Sequence, residues 1–324
     1  MGTGTGRLGG RAGTWGGAGP KPWNNRLGLS PARDQGARSQ RQRDETMKIG
    51  IVGLGLIGAS LGLDLRQQGH EVYGVARRID TCTTAVMQGM VDHAAIALDS
   101  LSPVEVVIVC TPIAAIAPTV AALAPHLQPQ AVVTDVGSVK ASVVAAATPH
   151  WPRFVGGHPM AGKSEAGLGA AEAGLFRQRA YVITPLETTP TDAVETVQAL
   201  AQSLGSSLYT CSPADHDRAV AWISHVPVMV SGSLIQACLQ EPDPTVRQLA
   251  AQFASSGFRD TSRVGGGNPE LGVMMARYNR TEVLRSLHTY QTQLSQLQGL
   301  IEGEQWDALL ALLAANQQAR PQFL

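Results

Sequence analysis

Charge is scarce in this chain and neatly balanced. Of 324 residues only 15% are charged, and 25 Lys and Arg offset 25 Asp and Glu. A formal net charge of zero argues against nucleic acid or a membrane surface as the main partner. Cysteine is nearly as sparse. The four present, Cys82, Cys110, Cys211 and Cys238, show no C-x-x-C spacing and no histidine pattern beside them. Neither a disulfide framework nor a metal site is expected, and free buried thiols in a reducing cytoplasm are the plain reading. No stretch approaches the roughly 20 apolar residues of a membrane span, and no internal repeat is found.

What is present is ordinary globular material, 44% hydrophobic and long enough for two domains. The zero net charge hides an asymmetry. Residues 1–46 carry seven Arg and Lys21 against Asp34, Asp44 and Glu45, a balance of +5, so the rest is −5. This Gly-, Arg- and Pro-rich leader has no apolar h-region and no amphipathic period, and disorder is expected of it. Met47 is the preferred natural start; a transit peptide fits less well, because Gly is abundant and Ser scarce. An intact mass from the native host that includes the leader would overturn this.

From Met47 the chain reads "MKIGIVGLGLIGASLGLDLRQQGHEVYGVARR". A short apolar strand, Lys48 to Val52, runs into Gly53, Gly55 and Gly58 and then a helical pattern. Strand, glycine turn and helix in that order give G-x-G-x-x-G its dinucleotide-binding meaning. Gly53 makes the turn, Gly55 admits the pyrophosphate, and Gly58 lets helix and strand pack. The amides of Leu56 and Ile57 open the helix toward the phosphates. After the second strand, "EVYGV", an acidic residue would mark NAD. Ala76, Arg77 and Arg78 stand there instead, and two guanidiniums suit a 2′-phosphate, so NADP is favoured with NAD possible; the alternative is that both are solvated surface charges.

Further strands, "VVIVC" and "AVVTDV", alternate with helical patterns, which predicts a Rossmann-type α/β domain over 47–211. Thr111 and Pro112 end one strand at the edge where such folds bind ligands. In "TDVGSVK", Asp135, Gly137, Ser138 and Lys140 end the next and are expected to line the nicotinamide side, unless Asp135 simply caps the following helix. "GGHPMAG" then reads as a turn, with glycine freedom and a fixed proline exit, built to present His158 beside Ser138.

Beyond "PADHDRAVAWISHVPVM" the strand signal fades, and residues 212–324 read as an all-α substrate and dimerisation domain. Its helical stripes, such as Leu287, Leu294, Leu297 and Ile301, exceed what one small core buries, which points to a helix-exchanging homodimer. Two polar interruptions stand out. One holds His225; the other, "SSGFRDTSRVGGGNPEL", reads as a glycine-rich loop whose Arg259 and Arg263, beside Asp260, form an anion site facing the crevice.

Taken together, "GLGLIGASL", "CTPI", "TDVGSVK", "GGHPMAG", "PADHDRAVAWISHVPVM" and "SSGFRDTSRVGGGNPELG" resemble the prephenate and arogenate dehydrogenase family, most closely its short cyanobacterial-type arogenate dehydrogenases. The resemblance runs from Met47 to the C-terminus. It implies a cytoplasmic NAD(P)-dependent oxidative decarboxylation late in tyrosine synthesis, acting on a small-molecule substrate. By position, His158 is similar to the family histidine that hydrogen-bonds the ring hydroxyl. Ser138 matches the serine near the nicotinamide and that hydroxyl, Arg263 the arginine that binds a substrate carboxylate, and His225 the second active-site histidine. Close relatives can carry serine where Ala76 stands, which leaves phosphate binding more dependent on Arg77. "KSEAG", with Lys163, Ser164 and Glu165, falls where relatives vary and where the amino or keto end of the substrate is sensed. With neither a mutase segment nor room for a regulatory domain, feedback by tyrosine would act at the active site. Two rivals are another Rossmann dehydrogenase acting on a hydroxy or imino acid, and an NADP sensor that has lost catalysis.

Overall fold

Continuous apolar runs set the centre of the sheet. "VVIV" and "VVTD", the strand after it, are buried on both faces, the mark of parallel strands covered by helices above and below. A computed structural model describes residue 1, residues 46–163 and residues 165–323; the reading of residues 1–46 as a disordered leader, and any role of Ser164, lie outside them. The strands are β1 (Lys48–Val52), β2 (Glu71–Val75), β3 (His93–Ala95), β4 (Val106–Val109), β5 (Val132–Asp135), β6 (Phe154–Pro159), β7 (Ala180–Thr184) and β8 (Ser207–Thr210). They form one sheet in the order β3-β2-β1-β4-β5-β6-β7-β8. Every neighbouring pair is parallel except β6 and β7.

Helices α1 (Leu56–Gln67), α2 (Ile79–Met87), α3 (Ile113–Leu123), α4 (Ala141–Ala147) and α5 (Thr191–Ser203) cover the two faces. Side chains alternate along each strand, so Ile49, Ile51, Val106 and Ile108 join one core while Val52, Val107 and Val109 join the other. The carboxyl ends of β1, β2, β4, β5 and β6 lie along one edge of the sheet, and the residues proposed above for cofactor or proton transfer in this half sit at or just beyond them.

The remainder is helical: α6 (Pro213–Val220), a π-turn at Ala221–His225, α7 (Val226–Leu239), α8 (Pro244–Phe253), α9 (Ser256–Ser262), α10 (Pro269–Tyr278), α11 (Arg280–Glu302) and α12 (Trp306–Ala319). Asn279 separates α10 from α11, and its side chain is drawn inward to donate to the Asp217 carbonyl oxygen at 2.8 Å. Among the described residues, Pro213–Leu239 is the one helix long and apolar enough to cross a bilayer by length and composition. The sequence reading passes over it because His216, Asp217, Arg218 and His225 interrupt the apolar run. Those polar residues are mostly the buried ones: His216, Asp217, His225 and Ser231 face inward, while Trp222, Ile223 and Leu239 stand exposed. Exposed apolar side chains continue over Val246, Leu249, Phe253, Leu294, Ile301, Leu310 and Leu313.

The expected glycine-rich loop is α9 followed by a 3-10 turn, Arg263–Gly266. Its glycine serves packing: a side chain at Gly265 would put its first carbon 2.4 Å from the Gly232 amide of α7. Ser231 stitches the contact, accepting from the Gly265 amide at 3.1 Å and donating to the Thr261 carbonyl at 2.7 Å. The four cysteines are free, but only Cys82 is fully buried and the others are half-buried. Burial pushes the Cys211 thiol up to about 11, so it stays protonated at neutral pH.

Candidate active site

The glycine turn after β1 has the shape a dinucleotide needs. Gly53 has φ +103°, and a side chain there would meet the Cys110 carbonyl oxygen at 2.6 Å. At Gly58 an added carbon would lie 2.0 Å from the Gly53 carbonyl oxygen, so turn and helix touch backbone to backbone. Gly55 differs: nothing lies within 4 Å of an added carbon, leaving open space in front of α1. No side chain caps this helix, and its first backbone bond runs from Ala59 to Gly55. The amides of Leu56, Ile57 and Gly58 therefore lack intrahelical acceptors and face that space, an arrangement that fits a pyrophosphate.

At the end of β2, Ala76 is buried and the two arginines part company. Arg78 forks onto Asp80 at the start of α2, through Nε at 3.0 Å and through Nη2. Arg77 is exposed and has no such partner among the described residues. Thr111 stands beside Gly53, its hydroxyl buried with no hydrogen-bond partner, and Pro112 opens α3.

Asp135 does not line the cofactor crevice. It is fully buried, its Oδ1 accepting from the Gly157 amide at 3.1 Å and its Oδ2 from the Gly137 amide at 2.8 Å and from the Lys140 ammonium. Lys140, equally buried, also donates to the Gly157 carbonyl at 2.7 Å. Burial pulls the Lys140 ammonium down, and the Asp135 carboxylate opposes that shift. Both oxygens of this carboxylate thus serve groups inside the protein.

Nor is "GGHPMAG" a turn at His158. Gly156, Gly157 and His158 all belong to β6. Side chains at the two glycines would collide, at Gly156 with Thr184 Oγ1 at 2.5 Å and at Gly157 with the Asp135 carbonyl at 2.6 Å. The glycines thus allow β6 to press against β5 and β7, and a strand rather than a flexible turn fixes the imidazole.

His158 is 8% exposed. Its Nδ1 lies 2.8 Å from His216 Nε2, with the two rings edge-on at 67°. His216 Nδ1 in turn lies 2.8 Å from Asp217 Oδ1. That carboxylate reaches across to the nucleotide-binding half, accepting from the Lys140 amide at 2.7 Å and the Ala141 amide at 2.8 Å at the start of α4. Burial holds His158 well below the ordinary histidine value, with repulsion from His216, Lys140 and His225 adding to it. His225 sits in the π-turn, a helix irregularity common at functional sites, and its Nδ1 lies 3.1 Å from Asn279 Nδ2. Burial pushes His225 down to about 4 against the pull of Asp217 and the Ser138 backbone. Among the described residues, the Ser138 hydroxyl is buried with no hydrogen-bond partner, and His225 Nε2 has none beyond the Ser138 backbone that pulls on its ring.

The chain matches the description "Prephenate dehydrogenase, nucleotide-binding domain" over residues 61–210 and "Prephenate dehydrogenase, dimerization domain" over residues 212–315. It belongs to the prephenate dehydrogenase family. Similar solved structures include Synechocystis arogenate dehydrogenase, at 50% identity and TM-score 0.79 over 86% of this chain and 100% of that one. Prephenate dehydrogenase from A. aeolicus, in complex with hydroxyphenyl propionate and NAD+, gives 25% identity and TM-score 0.81 over 86% of this chain and 99% of that one. Bacillus subtilis prephenate dehydrogenase is 29% identical over 78% of this chain and 70% of its own length.

In this family member His225 lies close enough to act on His158, and the Ser138 backbone lies against His225. Arg263 is exposed on the 3-10 turn, without a hydrogen-bond or ion-pair partner among the described residues. Arg259 folds onto Asp260 at 3.1 Å, and Lys163 turns back on its own loop to pair with Glu172. Sequence reasoning gave no role to His216, Asp217 or Asn279. The first two stand inside "PADHDR", where two polar residues at the start of an apolar helix were the available signal.

Proposed function

We propose that this prephenate dehydrogenase family member catalyses the NADP-dependent oxidative decarboxylation of arogenate to tyrosine, as a cytoplasmic homodimer. The observation that carries the chemistry is a neutral, buried His158 fixed by a strand, with His225 close enough to act on it and the Ser138 backbone against His225. Similarity to Synechocystis arogenate dehydrogenase supports arogenate over prephenate, whose product would be 4-hydroxyphenylpyruvate.

His158 takes the proton of the ring hydroxyl, a task suited to an imidazole that is uncharged at working pH. Ser138 and His225 hydrogen-bond the same polar end of the substrate, and Arg263 grips a carboxylate with fork geometry. When bound, the nicotinamide supplies the acceptor for the hydride leaving the hydroxyl-bearing carbon. As the carbonyl forms, the ring carboxylate departs as carbon dioxide, the electron pair of its bond passes through the ring to the oxygen, and the resulting phenolate takes a proton back; the aromatic ring makes the step effectively irreversible.

Steady-state rates of reduced-cofactor formation with arogenate or prephenate, each with NADP or NAD, test this directly. Turnover with arogenate and NADP is expected. Silence in all four pairs would reject the assignment. Arg77→Ala is expected to raise the KM for NADP about tenfold or more, the scale of one charge-assisted contact to a phosphate, and to leave the KM for NAD unchanged. Equal effects on both cofactors would remove Arg77 from the phosphate.

The exposed apolar side chains of α7, α8, α11 and α12 support pairing through the helical half. Light scattering at micromolar concentration should give twice the chain mass, and a single-chain mass would refute the dimer.

A further inference from the structure

Among the described residues, the one hydrogen-bond partner of the His158 ring comes from the other half of the molecule, and that partner is itself anchored. Asp217 is acceptor-only when ionised. It already receives two backbone amides at the start of α4, at 2.7 and 2.8 Å, so its third short contact, at 2.8 Å, assigns a proton to His216 Nδ1. A neutral His216 then has a bare Nε2, and the 2.8 Å contact to His158 Nδ1 requires His158 to be the donor there. The bare nitrogen of a neutral His158 is therefore Nε2, on the far side of its ring from His216.

We infer that His216 and Asp217 are positioning residues that lock His158 in the Nδ1–H tautomer, with Nε2 presented as the proton acceptor. The inference deepens the proton-transfer role given to His158 above and rests on that reading for its effect on rate. The lock has two parts. His216 accepts from His158 and keeps accepting when His158 becomes an imidazolium, so charge created by proton uptake has an acceptor waiting. Asp217 holds His216 in place and is held by the start of α4, so the tautomer depends on the two halves being docked. The other ionisable neighbours cannot substitute. Lys140 is committed to Asp135 and Gly157, Asp135 to the Gly137 and Gly157 amides, and His225 to Asn279. Tyr181 of β7, also buried, lies on the Gly157 side.

The test uses the full chain labelled with 15N-histidine. Nitrogen shifts at neutral pH read the tautomer without turnover. A protonated Nδ1 and bare Nε2 at His158, with neutral His216, are expected. A bare Nδ1 at His158, or a charged His216, overturns the inference whatever the substrate proves to be. Kinetics supply the second arm. His216→Leu is expected to lose about 100-fold in kcat, with the KM for the cofactor unchanged and a mixture of His158 tautomers. His216→Gln can accept from His158 through Oε1 and donate to Asp217 through Nε2, and should recover at least tenfold of that loss. Wild-type kcat in a folded His216→Leu refutes the lock. Should the leucine variant fail to fold, the glutamine variant and the native tautomer decide. Native nitrogen shifts as expected in a chain that turns over neither substrate would overturn the functional assignment while leaving the tautomer intact.

Discussion

His158→Asn is expected to lower kcat by about 10²–10⁴-fold, the range set by loss of a positioned proton acceptor, while binding of the cofactor stays near the wild-type value. Asparagine keeps a hydrogen-bonding side chain at the end of β6 but has no basic nitrogen. The hydroxyl proton then has nowhere to go as the hydride leaves. The native enzyme should carry a matching pH signature. Burial and the nearby His216, Lys140 and His225 hold His158 well below 6.5. A depressed pKa keeps the imidazole neutral at neutral and mildly acidic pH, so kcat/KM should remain level as pH falls through 6.5 and drop only in stronger acid. Normal turnover in His158→Asn, or a fall in kcat/KM centred on the ordinary histidine value, would contradict the assignment. Arg263→Ala should behave in the opposite manner, raising the KM for substrate about 10–100-fold through loss of a charged contact and sparing kcat; an unchanged KM would detach Arg263 from the substrate.

The largest effect on stability is expected at Lys140. Lys140→Met would leave the Asp135 carboxylate fully buried without its cation and would strip the Gly157 carbonyl of its side-chain donor. Breaking a buried pair by removing one member costs about 3–5 kcal/mol, a large part of the ~5–15 kcal/mol that holds a domain together. Removing both charges is gentler, because no ion is stranded. Asp135→Asn with Lys140→Met should thus be more stable than Lys140→Met alone, as judged by urea unfolding midpoints. A single variant that unfolds with the wild-type chain would show that the pair contributes nothing. The damage should also reach catalysis, since Gly157 immediately precedes His158 on β6.

Much of this was legible in the sequence because local chemistry dictated it. Gly53, Gly55 and Gly58 occupy positions where backbone touches backbone or space stays open, and the spacing alone said so. The parallel strands announced themselves as continuous apolar runs. The misreadings share one cause: a residue type with several uses was assigned its commonest one. Glycines beside His158 suggested a turn, yet they are strand residues that let β6 approach Thr184 and the Asp135 backbone. Asp135 at a strand end suggested a ligand contact, yet Lys140, five residues later, neutralises it inside the protein. The glycines after Arg263 suggested a loop, yet the segment is α9 and a 3-10 turn, and Gly265 meets α7. Partnerships across long stretches of chain were beyond reach, because nothing local in "PADHDR" says that its histidine meets residue 158 and its aspartate the start of α4.

That cross-chain contact has a consequence for how such an enzyme is inherited and recombined. A helical half transplanted from a relative would bring more than substrate contacts; it would bring the neighbour of the proton acceptor and the plug that seats it. On the proposed mechanism selectivity and catalysis are not separable cassettes, and a chimera joined near residue 211 is expected to change both together.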